Sequence, residues 1–239
     1  MAKQQVIKNS RWSIEKPDWC RISGSEVLTL RRGEKEPDYR YYHHDTFLAV
    51  AEGKAPILLD GQTFEIEFGD LVAIPAGTKQ QILEAVEDFR VLRVHDELSF
   101  KGAAPVKVSD EGKFNQKLWW NVDERPLRCK IAKPRTWFWL NQKPEWSRFT
   151  NIGVMKFVDN EGEMDYHYHE CDEYYFCVQG TMTIKAGGAE YVMTEGDVYP
   201  IREGTEHMVL TSRGNSTLVW LYEPLRGNRY GHLHRGADD

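Results

Sequence analysis

Two imidazoles stand two residues apart in Asp165-Tyr166-His167-Tyr168-His169, a carboxylate follows at Glu173, and a third imidazole, His207, comes in a later segment. In a β-strand, residues i and i+2 share a face, so His167 and His169 converge on one point. Imidazole and carboxylate together suit borderline divalent ions: iron, manganese, nickel, zinc or cobalt. Four protein donors on a six-coordinate ion leave two adjacent positions, where a substrate or water binds directly. One divalent transition metal is therefore the expected cofactor. Its identity is not written in these four side chains, because geometry and availability select among first-row ions. Alternation through Glu173 turns Tyr175 and Cys177 to the same side, which makes Tyr175 a candidate substrate contact. Asp165 shares parity with His167 and is a candidate base or histidine partner. No catalytic residue beyond these is singled out.

The elements that position such a set are short strands. Phe47–Val50, Phe64–Glu67, Leu71–Ile74 and Phe89–Val94 read as strands, as do Tyr174–Val178, Met182–Lys185, Val198–Ile201 and Leu218–Tyr222. Asp60-Gly61 and Gly187-Gly188 supply turns that need positive φ. The two series are one unit written twice. Trp12-Ser13-Ile14-Glu15-Lys16-Pro17-Asp18-Trp19 returns as Trp139-Leu140-Asn141-Gln142-Lys143-Pro144-Glu145-Trp146, an offset of 139 − 12 = 127. The same offset carries Asp38-Tyr39 onto Asp165-Tyr166 and Gly69-Asp70 onto Gly196-Asp197. It also places Arg40, Tyr42, Thr46 and Gln80 where the second copy has His167, His169, Glu173 and His207. None of the four ligand types survives there, and a guanidinium does not give up its charge to make room for a cation. His43 and His44 are adjacent, face opposite sides of a strand, and do not replace the set.

Together, His167-x-His169, Glu173 and the following Gly180 resemble the first sequence motif of the cupins. Gly196-Asp197-Val198-Tyr199-Pro200-Ile201-Arg202-Glu203-Gly204-Thr205-Glu206-His207 resembles the second, with Arg202 where that motif carries proline. The resemblance covers both repeats and implies an all-β chain of two tandem cupin (jelly-roll type) β-barrels. It implies metal ligation by His167, His169, Glu173 and His207 in the second barrel. Residues 1–100 are expected to form the N-terminal barrel, 101–138 a tryptophan-rich connection, and 139–239 the metal-binding barrel with its tail. Beside the barrel mouth, Arg202 is a candidate clamp for a substrate carboxylate. The tail's own His232-Leu233-His234 lacks a carboxylate motif and reads as exposed.

The resemblance implies a metal-dependent enzyme acting on a small oxygen-rich metabolite, with a dioxygenase-type oxidoreductase leading. A metal-dependent isomerase or lyase acting on a sugar or keto acid, and a non-catalytic small-molecule-binding cupin, are the alternatives. With 31 basic and 37 acidic residues, net charge −6, the chain offers no basic face to nucleic acid. It contains no apolar run of bilayer length, and its N-terminus lacks the apolar core of a signal peptide. The four cysteines lack C-x-x-C spacing and read as reduced thiols. A cytoplasmic address, a small-molecule substrate, no nucleic-acid or membrane partner, and a homodimer are expected.

Overall fold

The computed structural model describes residues 4–8, 11–40, 42, 44–96, 130–132, 147–163, 165–229 and 231–236. Among them, in chain order, are β1 (Ile7–Lys8), α1 (Trp12–Glu15), β2 (Gly24–Leu30), β3 (Thr46–Glu52), β4 (Lys54–Leu59), β5 (Gln62–Glu67), β6 (Leu71–Ile74), β7 (Gln80–Ile82), β8 (Phe89–His95) and β9 (Lys130–Ala132). The series continues with β10 (Asn151–Phe157), β11 (Glu173–Ala186), β12 (Ala189–Thr194), β13 (Asp197–Ile201) and β14 (His207–Tyr222). The fold is all-β, as expected. No helix among the described residues is long and apolar enough to cross a membrane. The chain divides into two compact units, one comprising Arg21–Trp137 with Asn141–Ser147, the other Met1–Cys20, Phe138–Leu140 and Arg148–Asp239.

In the first unit the sheets run β2-β8-β3-β6-β9 and β5-β4-β7. Leu48, Val50, Ile57, Ile66, Val72 and Val91 fill its core. The second unit follows the path β1-β13-β11-β14-β10, with β12 on β11. Its β11 and β14, 14 and 16 residues long, run unbroken where the first repeat has β3 then β4 and β7 then β8. Each repeat must bend at one place, and glycine sits there. Gly180 has φ +79, and a Cβ on it would lie 2.5 Å from Ser216 Oγ. Its counterpart Gly53 has φ +68, and a Cβ there would run into the Asp88 carbonyl oxygen. Only glycine takes that conformation at such close approach without strain.

The 127-residue offset extends to individual hydrogen bonds. Glu36 accepts the Ile82 N–H at 2.8 Å, and Glu163 accepts the Val209 N–H at 2.6 Å. Asp45 takes the Ala76 N–H, and Asp172 takes the Glu203 N–H. Residues 4–8 and 11–20 belong to the second unit. Ile7 pairs with Val198 along β13, and Trp12 lies edge-on to Tyr174. The reason is physical: β13 has an edge whose N–H and C=O groups need partners, and Ile7 and Trp12 need cover. The tryptophans Trp119, Trp120, Trp137 and Trp139 lie outside the described residues.

Candidate metal centre

His167 and His169 sit just before β11, which opens on Glu173, and His207 opens β14. An isolated antiparallel bridge joins His167 to His207, with N–H to O=C distances of 3.2 and 2.7 Å. Glu173 is flanked by Ile201 on β13 and Tyr222 on β14. These pairings bring His167, His169 and His207 together, with one ligand atom from each inside a 4.8 Å sphere of mutual distance. All four side chains are buried, at 1%, 4%, 1% and 1% exposure for His167, His169, Glu173 and His207.

Each imidazole is oriented by a backbone carbonyl. His167 Nδ1 donates to Asp165 O at 2.9 Å, His207 Nδ1 to Thr205 O at 2.8 Å, and His169 Nδ1 to Gly231 O at 2.8 Å. A carbonyl only accepts, so Nδ1 carries the hydrogen, and in the neutral ring Nε2 keeps its lone pair. The donor set fits a divalent ion on one further observation. Glu173 Oε2 and His207 Nε2 lie 2.8 Å apart, yet both are buried and neither has a hydrogen bond of sound geometry. Leaving such atoms unsatisfied is costly, and a cation facing both removes that cost. The lone pair of His169 Nε2 accepts the Tyr222 O–H at 2.8 Å.

Burial, reinforced by the neighbouring His207, lowers the pKa of His167 to about 3 and that of His169 to about 2. Burial raises that of Glu173. It opposes the charge of His207 too, but Glu173 and the Thr205 carbonyl outweigh it and raise that pKa. In the first unit, burial and Arg93 lower His95 to about 4. For the three depressed histidines, the unfolded chain binds protons that the folded chain refuses. Their contribution to stability is complete above the ordinary pKa of about 6.5 and is lost as pH falls through the folded values. His207 acts oppositely, contributing below about 6.5 and losing its contribution as pH rises through its folded value. Glu173 and Glu163, also raised by burial, act in the same sense as His207. Because the three depressed histidines stay neutral down to about 4, 3 and 2, the thermal midpoint of chelator-treated protein is still expected to fall between pH 6.5 and 4. A midpoint rising with acidification over that interval would contradict the neutral assignment.

Of the other expected site residues, Tyr175 is buried beside the ligands, its ring 5.5 Å from that of His207, and its hydroxyl donates to Glu163 Oε2 at 3.4 Å. The Arg202 guanidinium donates to the buried Asp172 at 2.9 Å and lies over the Trp19 ring at 5.1 Å. It thereby ties down the turn where the motif has proline. Cys20, Cys171 and Cys177 are buried free thiols, while Cys129 lies outside the described residues. Sequence reasoning missed Glu163 and Tyr222. The signal for Glu163 was its repeat as Glu36; Tyr222 had none, since its counterpart is His95.

In the tail His232 is exposed, as expected, and stacks on His167, whereas Leu233 is buried and joins Tyr168 in a two-bond bridge. Among the described residues, it is Leu233 that takes up the N–H and C=O of Tyr168, between the two ligand histidines.

In the first unit, Arg40 bridges Gln80 as His167 bridges His207. Thr46 is flanked by Ile74 and His95 as Glu173 is by Ile201 and Tyr222. The space holds an ion network. Arg93, 1% exposed, donates to both oxygens of Glu36 at 3.1 Å and also to Glu26. Arg40 joins at 3.2 Å from Glu26. Glu26 and Arg93 are cross-strand partners whose counterparts are Gly153 and Trp220.

Residues 153–222 match the family described as Cupin domain. Over 70 residues the chain is 31% identical to the uncharacterized protein y4oW of Sinorhizobium fredii (strain NBRC 101917 / NGR234), a match to 29% of this chain and 32% of that protein. The chain thus covers less than two thirds of that curated relative. Among solved structures it is similar to an oxalate decarboxylase studied for an element that modulates proton-coupled electron transfer, with TM-score 0.60, 14% identity, and coverage of 93% of this chain and 78% of that one. It is also similar to a mutant of Bacillus subtilis oxalate decarboxylase OxdC, with TM-score 0.57, 12% identity, and coverage of 95% and 79%. At these identities the likeness is one of fold.

Proposed function

We propose that this chain is a two-barrel cupin and that its second barrel is a mononuclear metal enzyme of dioxygenase type acting on a small oxygen-rich metabolite. One observation carries the reading: a buried three-histidine, one-carboxylate cluster in which Glu173 Oε2 and His207 Nε2 face each other without a sound hydrogen bond. A bound divalent ion would supply Lewis acidity and, if redox-active, electrons for oxygen chemistry. His167, His169, Glu173 and His207 would hold it. Beside the ligands stand groups suited to proton handling. Burial, assisted by Glu173, raises the pKa of Glu163, so its carboxyl keeps a proton closer to neutrality than an exposed one does. Tyr175 O–H donates to Oε2 of that group, and Tyr222 O–H stands on the ligand side.

Glu163 is also the observation that favours a second reading, a metal-dependent lyase or isomerase. Such a reaction needs a group to give and take a proton beside the polarised substrate. Oxygen separates the two. Assayed against a panel of small hydroxy and keto acids, turnover is expected to require a reduced redox-active metal, to stop without oxygen, and to vanish when zinc is substituted. Equal rates with and without oxygen, supported by several divalent ions, would sink the dioxygenase reading and leave the lyase or isomerase. Metal-loaded protein that binds members of the panel and turns over none would make it a binding protein.

A further inference from the structure

We infer that the C-terminal segment from Gly231 to Gly236 is a built part of the metal centre, a strap that fixes the third imidazole, His169; the inference rests on the metal reading above. The three ligand histidines are not oriented in the same way. His167 and His207 each use the carbonyl two residues upstream, at 2.9 and 2.8 Å. That solution is closed to His169. The residue two upstream is His167, whose carbonyl accepts the His207 N–H at 2.7 Å. His169 Nδ1 instead donates to Gly231 O at 2.8 Å, 62 residues along the chain.

The strap is anchored on both sides of that carbonyl. Tyr168 N–H donates to Leu233 O at 3.0 Å and Leu233 N–H to Tyr168 O at 3.1 Å, so the strap pairs with the backbone between two ligands. The Leu233 side chain is buried, and Arg235 Nη2 donates to Gly204 O at 3.0 Å, near His207. His232 lies parallel to the His167 ring, with centroids 3.6 Å apart, and its Nδ1 is 2.5 Å from Asp165 Oδ2. Gly231 has φ +96, a conformation that suits glycine, and this turns its carbonyl to the imidazole. Without the strap, His169 Nδ1 loses its acceptor and the ring is left with the Tyr222 O–H at Nε2, the nitrogen a metal needs bare. A group of this kind, holding a ligand without touching the ion, is a positioning element, and loss of such a partner costs about 10–100-fold in metal affinity.

The test measures Co²⁺ binding by competition with a chelator, with the visible absorption spectrum of the bound cobalt as a second readout. The full chain is compared with a chain ending at Arg229, and with Leu233→Asp, which keeps the full length where truncation disturbs folding. Both are expected to bind about 10–100-fold more weakly, with an altered cobalt spectrum and an unfolding midpoint in chelator close to that of the parent. Leu233→Ile should restore the parent values. Unchanged affinity and spectrum in both the truncated chain and Leu233→Asp would overturn the strap while leaving the four ligands standing. If the full chain itself fails to bind Co²⁺, the metal reading falls and the strap with it.

Discussion

His169→Ala and Glu173→Ala are each expected to leave a folded protein that no longer retains metal through purification. Each removes a direct bond, and Glu173→Ala also removes the one negative charge among the four donors. The loss should therefore exceed the roughly 100-fold that marks the upper end for an outer partner. Folding should survive, because the centre is a strained place in the metal-free fold. Glu173 is raised in pKa by burial, and its Oε2 has no sound hydrogen bond. Taking away a buried, poorly satisfied carboxylate relieves desolvation even as it opens a small cavity. The parent chain should carry one ion, held in the second unit, and elemental analysis counts it directly. If Gln80→Ala, in the first unit, lost an ion that His169→Ala retained, the assignment of ligands would be wrong.

Arg93→Met should have the opposite profile, lowering stability while leaving metal content alone. Arg93 is held by Glu36 on one side and Glu26 on the other, and Glu36 is as deeply buried as the guanidinium, each 1% exposed. Breaking a buried pair from one side strands the other charge and typically costs about 3–5 kcal/mol. Urea unfolding should show an early loss of the first unit. The double variant Arg93→Met with Glu36→Leu, which leaves no stranded carboxylate on that side, should recover a good part of the loss. A single variant as stable as the parent would show that water reaches Glu36 and that the network is not closed. The contrast in chemistry is direct. Facing one repeat position, the first unit places a covalently fixed guanidinium between carboxylates, whereas the second places a glycine, Gly153, under the indole of Trp220, and Gly153 has no room for a Cβ.

The sequence by itself determined the all-β class, the repeat and the candidate ligands. Strand alternation puts His167 and His169 on one face, and a repeat without insertions forces corresponding residues into corresponding places. His207 was legible through the resemblance of residues 196–207 to the second cupin motif, which is independent of any knowledge of the sheet. Even Glu163 was present in the text, through Glu36, although a single glutamate in a polar loop is a faint mark until its Val209 hydrogen bond is seen. What only the tertiary structure decided involves groups that meet across large separations without a shared pattern. Arg202 finds Asp172, Ile7 completes the edge at Val198, and Gly231 orients His169. In each case the deciding group is a backbone carbonyl, an unpaired strand edge or a buried charge. Residue type and spacing report side-chain periodicity, but backbone N–H and C=O groups are the same at every position, and their need for partners becomes specific only once the chain has folded.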